Sequence, residues 1–556
     1  MTVSAQPRTG GRILADALAR NGVERAFCVP GESYLALLDA LYQSPVAVNV
    51  FRQEGGAAMA AEAWGKLTGR PGIVMATRGP GGTNASAGLH VGRQDSTPMI
   101  LLLGQVARRM RGREAFQEID AKNFFGEVAK WVEEIDSPQR IPEIVSRAFH
   151  QATSGRPGPV VLSLPEDVLR ETAVVADAEP WAPVEASPDR RLMATLRDLL
   201  AAAKRPFVIL GGSRWSEDAV AGVRRFAERF DLPVGCSLRR QMLFDHDHPN
   251  YAGDVGIGVN PALAQRIRQA DVLLLIGGRM GEAPSSGYTL IESPEPLQKL
   301  IHVHSGAEEL GRVYRPTLAI NASPTLFVAA LDDLAPPDRL EWSAETRAAN
   351  AAFRAWSTPT ANVGPVQLGE VVTWLRGRLP NDAIVANGAG NYSGWVHRFF
   401  RFRGFGTQLA PTSGTMGYGL PAAIAAKLKF PERVVVAFAG DGCFQLTSQE
   451  FATAVQYHAA VIVVVVNNGV HGTIRMHQER DYPGRIIATD LVNPDFAALA
   501  RAYGGHGETV ASTEEFAPAF ERAVASHKPA IIEVKFDSEA ISTSTTLSAI
   551  RGKGKR

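Results

Sequence analysis

Two polar clusters stand at the ends of apolar runs within residues 434–468, and their residue types suit one kind of chemistry. The run 434–439 ends in Gly440-Asp441-Gly442, and the run 460–466 ends in Asn467-Asn468. Both runs are short and β-branched, as strands buried on both faces of a parallel sheet are. Between them Thr447 and Glu450 form an S/T-x-x-E pair, which predicts a capping box at a helix start. Strand, crossover helix and strand make a βαβ unit. Asp441 and Asn468 then lie just past strand C-terminal ends, where open α/β sheets bind ligands. A carboxylate, an amide carbonyl and free backbone groups in that place suit Mg²⁺, whose shell is completed by substrate phosphates. The flanking glycines let the backbone approach a phosphate closely. Taken alone, GDG is a tight turn and NN a polar strand end; the spacing of the whole unit points to a cation and phosphate site.

Two other features carry chemical weight. Glu54 follows an apolar strand and precedes the small-residue helix GGAAMAAEAWGKLTG. A glutamate at a helix start ordinarily serves the helix dipole. The stretch SGTMGYGLPAA (413–423) makes a tight glycine connection before another small-residue helix, and leaves Met416 exposed on the loop. The ordinary role of such a methionine is packing.

The elements that position these residues follow from the order of apolar runs. With 556 residues, 45% hydrophobic and 21% charged, the chain has the length and composition of three or four globular domains. A net charge of +1 offers no bulk electrostatic case for nucleic acid or acidic membranes. Only Cys28, Cys236 and Cys443 occur, far apart, which argues against a disulfide framework or zinc site and suits a cytoplasmic location. The N-terminal MTVSAQPRTGGR has no apolar core, and no run approaches the ~18 apolar residues of a membrane span. The basic tail, 551–556, reads as a frayed, solvated end.

Strands are predicted at 25–29, 46–51, 72–77, 99–103 and within 155–168, alternating with helices at 12–21, 34–42 and 55–69. A second set lies at 206–210, 232–236, 272–276 and 300–303. A third lies at 383–386, 407–409, 434–439, 461–466 and 530–534. Residues 171–190 and 334–365 read as linkers. The fold class is therefore α/β, with three doubly wound parallel-sheet domains at 8–170, 190–333 and 365–540. The first and third share a pattern of apolar strands ending in polar or Gly-rich turns, which suits related folds.

Together these residues resemble the thiamine-diphosphate enzymes, specifically the acetolactate synthase and 2-oxo acid decarboxylase superfamily. The resemblance covers nearly the whole chain. It is carried by RQEGGAAMAAEAWGKLTGRPGIV (52–74), GPGGTN (79–84), PMILLLGQV (98–106), AFQE (115–118), RPGPVVLSLP (156–165), GTMGYGLPAA (414–423) and the GDG and NN pair, in the family's order. It implies pyrimidine-binding, central and diphosphate-binding domains. By this resemblance Asp441, Asn468 and the Val470 carbonyl would hold Mg²⁺ on the diphosphate of thiamine diphosphate. Gly388, Ala389, Gly390, Asn391 and Tyr392, with Gly440, Gly442, Cys443, His471 and Gly472, would line the cofactor. Met416 looks like the residue that wedges the cofactor into its bent form, and Gly414 like the acceptor for its pyrimidine amino group. Glu54 matches the catalytic glutamate that bonds the aminopyrimidine ring nitrogen. That bond favours the imino tautomer, which the bend brings beside the thiazolium as general base. In this family two subunits supply the halves of each site, so a homodimer or homotetramer is implied.

The chain also departs from the synthases. Their Pro-Gly-Gly turn is Pro30-Gly31-Glu32 here, and the lysine of LPKDV is Glu166. Beyond the double Asn the chain reads GVHGTIRMHQ, which puts Thr473 and His477 near positions where the synthases have methionine and tryptophan. Phe116 and Gln117 match the synthase substrate loop. Glu32, Phe116, Gln117, Thr473 and His477 are therefore the candidate substrate residues, for a more polar 2-oxo acid than pyruvate. His471 suits either a hydrogen-bonding role or ordinary packing. The synthases bind FAD through the central domain; here 277–287 and 302–311 keep the glycines and lose the acidic and basic landmarks, which leaves FAD open. The leading reading is decarboxylation of a 2-oxo acid with transfer of the fragment to an acceptor. Its alternatives are simple decarboxylation and 2-hydroxyacyl-CoA cleavage. A nicotinamide oxidoreductase lacks its GxGxxG, and a catalytically silent binding protein would not be expected to keep Glu54.

Overall fold

The computed structural model describes residues 6–553. Three six-stranded sheets organise them, with every described strand pair in these sheets parallel. The first runs, edge to edge, Ala47–Val50, Arg25–Cys28, Gly72–Thr77, Met99–Gln105, Pro159–Pro165 and Trp131–Glu134. The second runs Tyr251–Val255, Val234–Ser237, Pro206–Leu210, Val272–Ile276, Lys299–His304 and Leu318–Asn321. The third runs Gln408–Leu409, Ile384–Asn387, Val435–Gly440, Ile462–Asn467, Ala530–Lys535 and His506–Val510. The first and third share one strand order, which bears out the likeness read from their turns. The central sheet has the order common to dinucleotide-binding folds, which is a statement about topology alone.

The central strands form because burial on both faces selects apolar, β-branched residues throughout. Met99–Gln105 and Pro159–Pro165 are buried at every position, and Val435–Gly440 at all but the last. By contact, the described residues fall into two compact units. Leu420–Pro431 and Thr447–Tyr457 join residues 6–184 in the first, and the remaining described residues form the second.

Four expectations are corrected. The capping box at Thr447 and Glu450 does not form: Glu450 is the first residue of the helix Glu450–Gln456, and its carboxylate bonds elsewhere. The stretch 334–365 is not a plain linker, because it contains the helix Ser343–Trp356, with Trp342 and Phe353 in the central domain's core. The C-terminal tail begins as the helix Leu547–Lys553, and Arg551 pairs bidentately with the buried Glu479 at 2.5 and 2.8 Å; residues 554–556 lie outside the described residues. The expected exposure of Met416 is not found, since it packs half-buried against the third sheet's core. No helix among the described residues is long and apolar enough to cross a membrane.

The helix at Ser343–Trp356 gives a direct test. The Trp342 indole is 1% exposed and donates to the Phe230 carbonyl at 2.9 Å. Trp342→Ala should destabilise the central domain by about 3–5 kcal/mol. A true linker residue would shift the urea unfolding midpoint by no more than ~0.5 kcal/mol equivalent.

Candidate active site

In the first unit the site is built around the start of the helix Glu54–Thr68. Gln53 caps it in extended conformation, its side chain accepting from the Gly56 amide at 3.1 Å. Glu54 is 8% exposed, and its Oε2 accepts from the Asn84 amide at 2.9 Å. The GPGGTN motif is helical, lying in Arg78–Asp95, and its glycines allow a close crossing. A Cβ on Gly81 would sit 3.1 Å from Glu54 Oε1, and one on Gly88 would sit 2.4 Å from the Ala58 Cβ. Asn84 was not singled out from sequence, although an amide two residues past the glycine pair was the available signal.

Glu450 holds the other side of this helix start. Its carboxylate is fully buried and accepts the Arg52 amide at 3.2 Å, the Gln53 amide at 3.0 Å and the Thr453 hydroxyl at 2.7 Å. The backbone of the two residues preceding Glu54 is thus fixed by a side chain far along the sequence. Burial pushes the Glu450 carboxyl above the usual carboxylate range, against the pull of those donors.

The substrate candidates of this unit gather at the strand C-terminal ends around a residue not singled out from sequence, Arg78. Its guanidinium reaches Glu166 Oε2 at 3.1 Å, the Phe116 carbonyl at 3.3 Å and Glu32 Oε1 at 3.8 Å. The Gly79 amide donates to the Gln117 carbonyl at 2.8 Å, so the 115–118 loop closes on the same helix start. Phe116 and Glu32 remain exposed.

In the second unit Asp441 follows its strand directly and opens the helix Asp441–Gln445. It is 3% exposed; Oδ1 accepts the Gly442 amide at 2.8 Å, and Oδ2 accepts the Gly469 amide at 2.8 Å and the Asn493 side chain at 2.7 Å. Asn493, which also donates to Asn467 at 2.8 Å, was missed because no local motif marks it. The Asn468 carbonyl oxygen accepts the Val470 amide at 3.3 Å. Around Val470, the pairing to 489–491 uses the Gly469 carbonyl and the His471 amide, leaving the Val470 carbonyl out of those two bonds.

The loop Gly388, Ala389, Gly390, Asn391, Tyr392 packs directly against this strand end. Tyr392 accepts the Gly388 amide at 3.1 Å, and Cys443 Sγ accepts the Gly417 amide at 3.2 Å. A Cβ on Gly388 would lie 2.5 Å from Cys443 Sγ, and one on Gly442 would lie 2.8 Å from the His471 ring. Asn391 donates to the Ile541 carbonyl at 2.9 Å and accepts the Thr473 hydroxyl at 2.8 Å. Thr473 and Gly472, at the start of the helix Gly472–Asp481, thereby join the loop cluster. Gly414 occupies a left-handed turn at φ +69° beside Met416. His477 makes no bond to these residues, and its Nδ1 is buried without a partner among the described residues.

The donor set decides which metal fits. No group of three or more His, Cys, Asp or Glu that could hold a metal occurs among the described residues. Asp441 is followed along the neighbouring strand end by the amide oxygen of Asn468 and the backbone carbonyl of Val470, oxygen donors of the kind that suit a hard cation whose remaining ligands come from a phosphate.

Glu450 yields two expectations. Glu450→Ala should cost about 1–3 kcal/mol, because two buried amides lose their acceptor. The folded protein binds the Glu450 proton more tightly than the unfolded chain does, so its contribution is largest at low pH and is lost as pH rises through the folded pKa. Stability measured against pH should therefore fall more steeply above the usual glutamate range for the native chain than for Glu450→Gln; parallel curves would contradict this.

Comparison with known proteins places the chain. The N-terminal TPP binding domain of the thiamine pyrophosphate enzymes matches residues 8–124, their central domain 193–331, and their C-terminal TPP binding domain 388–534. An acetolactate synthase large subunit of Parasynechococcus marenigrum is 32% identical over 551 residues, covering 95% of this chain and 88% of that protein. The isozyme 2 large subunit of Escherichia coli is 29% identical, with 95% of each chain covered. A probable acetolactate synthase large subunit of Methanocaldococcus jannaschii is 31% identical, covering 95% and 92%. The chain belongs to the thiamine pyrophosphate enzymes and, within them, to the acetolactate synthase-like family.

Proposed function

We propose that this chain decarboxylates a 2-oxo acid and transfers the remaining acyl unit to an acceptor, with thiamine diphosphate and Mg²⁺ as cofactors. The observation that carries the reading is the state of Glu54. It is buried at a helix start, tied through Oε2 to Asn84, with no hydrogen bond to Oε1 among the described residues. Such a carboxylate is fixed in place and still has an oxygen free to hold a proton at the aminopyrimidine ring nitrogen. When bound, the cofactor supplies a thiazolium that takes up the electrons released by decarboxylation.

The remaining residues bind and orient. Asp441, Asn468 and the Val470 carbonyl would hold Mg²⁺, and the Gly388–Tyr392 loop with Gly440, Gly442, Cys443, His471 and Gly472 would line the diphosphate. Gly414 and Met416 would seat the ring end. Glu32, Phe116, Gln117, Thr473 and His477 would face substrate. The reading assigns pyrimidine binding to 8–170, a central domain to 190–333 and diphosphate binding to 365–540, in a cytoplasmic homodimer or homotetramer. A flavin spectrum released on heating would add FAD to the cofactors.

A panel of 2-oxo acids with thiamine diphosphate and Mg²⁺, followed for CO₂ and products together, tests the reaction. A 2-hydroxy ketone supports it, and a free aldehyde as sole product replaces transfer with simple decarboxylation. Glu54→Gln should retain cofactor binding by calorimetry and lose about 10²–10⁴-fold in turnover, the usual scale of acid–base catalysis. Undiminished turnover would sink the assignment. Asp441→Asn should raise the Mg²⁺ concentration needed for half-maximal cofactor binding by roughly tenfold or more.

A further inference from the structure

Arg78 sits where an arginine is costly on three counts. It is the first residue of the 18-residue helix Arg78–Asp95, an end that favours negative charge. Its backbone is left-handed, at φ +34°, a conformation that L-residues adopt only at a steric cost. Its side chain is buried, the residue being 9% exposed, and its Nε has no hydrogen-bond partner among the described residues. Strain of this kind persists where the surroundings over-determine it, and it collects at ligand-binding positions.

A second residue repeats the pattern on the facing loop. Gln117 is also left-handed, at φ +63°, and its Oε1 is buried without a partner among the described residues. The Gly79 to Gln117 bond at 2.8 Å joins the two strained turns. Glu32, whose side chain is 63% exposed, stands 3.8 Å from the guanidinium, an ion pair without a hydrogen bond. Glu166, paired with Arg78 at 3.1 Å, also borders an open groove of about 390 Å³.

We propose that Arg78, with Glu32 and Gln117, is the specificity element of this site, and that it selects a substrate bearing a hydroxyl next to the 2-oxo group. The inference rests on the 2-oxo acid reading and deepens it. Chemistry narrows the choice of group. A hydroxyl both accepts and donates, so one group answers an unpaired guanidinium N–H and an unpaired amide or carboxylate oxygen. A second carboxylate would face Glu32 and Glu166, two negative charges against one positive. An ammonium offers nothing to the Arg78 donor, and an alkyl group leaves every polar atom unmatched.

The probes are hydroxypyruvate and pyruvate, titrated calorimetrically onto the enzyme loaded with thiamine diphosphate and Mg²⁺, with CO₂ release followed in parallel. Native protein should bind hydroxypyruvate at least about tenfold more tightly than pyruvate. Arg78→Lys, Arg78→Ser and Glu32→Gly should each reduce that ratio severalfold, Arg78→Ser the most, with the loss appearing in KM more than in kcat. The lysine and glycine variants serve if the serine variant does not fold. Equal binding of the two acids by the native protein, binding of neither, or variants that weaken both acids equally would each overturn the proposal. A retained binding preference without CO₂ release would instead count against the 2-oxo acid decarboxylation reading and leave the role of Arg78 standing.

Discussion

A carboxylate removed from water must be matched by donors, and the second unit's loops are arranged around that requirement at Asp441. Leaving it unmatched would cost several kcal/mol. Its two oxygens are met by the amides of Gly442 and Gly469 and by the Asn493 side chain. Those bonds draw the segment after one strand toward the start of the helix after its neighbour. With the backbone held in this way, Asn468 and Val470 flank the Gly469 amide that the carboxylate accepts, and Gly388 of the 388–392 loop can close on Cys443. A cation at this place would relieve the buried charge that the amides now partly offset.

The first and third sheets share a strand order, and in both the helix after the third strand opens on a buried charged residue. In the third sheet that residue is Asp441, whose sign agrees with the helix dipole. In the first it is Arg78, whose sign opposes it. One topological position has thus been given to a buried anion in one domain and to a strained cation in the other. The difference shows how a common scaffold takes different chemistry at its strand ends while its core changes little.

Much of this could be read from the chain, and the parts that could not share a cause. Strands such as Met99–Gln105 and Val272–Ile276 are buried at every position, so their apolar runs are plain in the sequence. Trp131–Glu134, Tyr251–Val255, Leu318–Asn321 and His506–Val510 are edge strands, most of them half exposed or alternating, and carry no such run. Their pairing is decided by neighbours distant in sequence. The same holds for the site. Glu54 and Asp441 follow apolar strands and stand out, whereas Asn84, Asn493 and Arg78 become legible only once their partners are in place. Thr447 and Glu450 matched a local capping pattern, but the stronger claim on that carboxylate came from two amides that no local pattern names.

That last contact bears on the order in which the molecule can be made. The unit that carries Glu54 is completed by 420–431 and 447–457, so the ribosome has released about four-fifths of the chain before Glu450 reaches Arg52 and Gln53. Until then those two amides, and the Val50 amide that Tyr457 accepts at 2.6 Å, have no partner from that segment. The nascent N-terminal sheet can assemble early, since its strands pair within 25–165. The corner at Arg52 to Glu54 cannot, and that glutamate is set in its final place only near the end of synthesis.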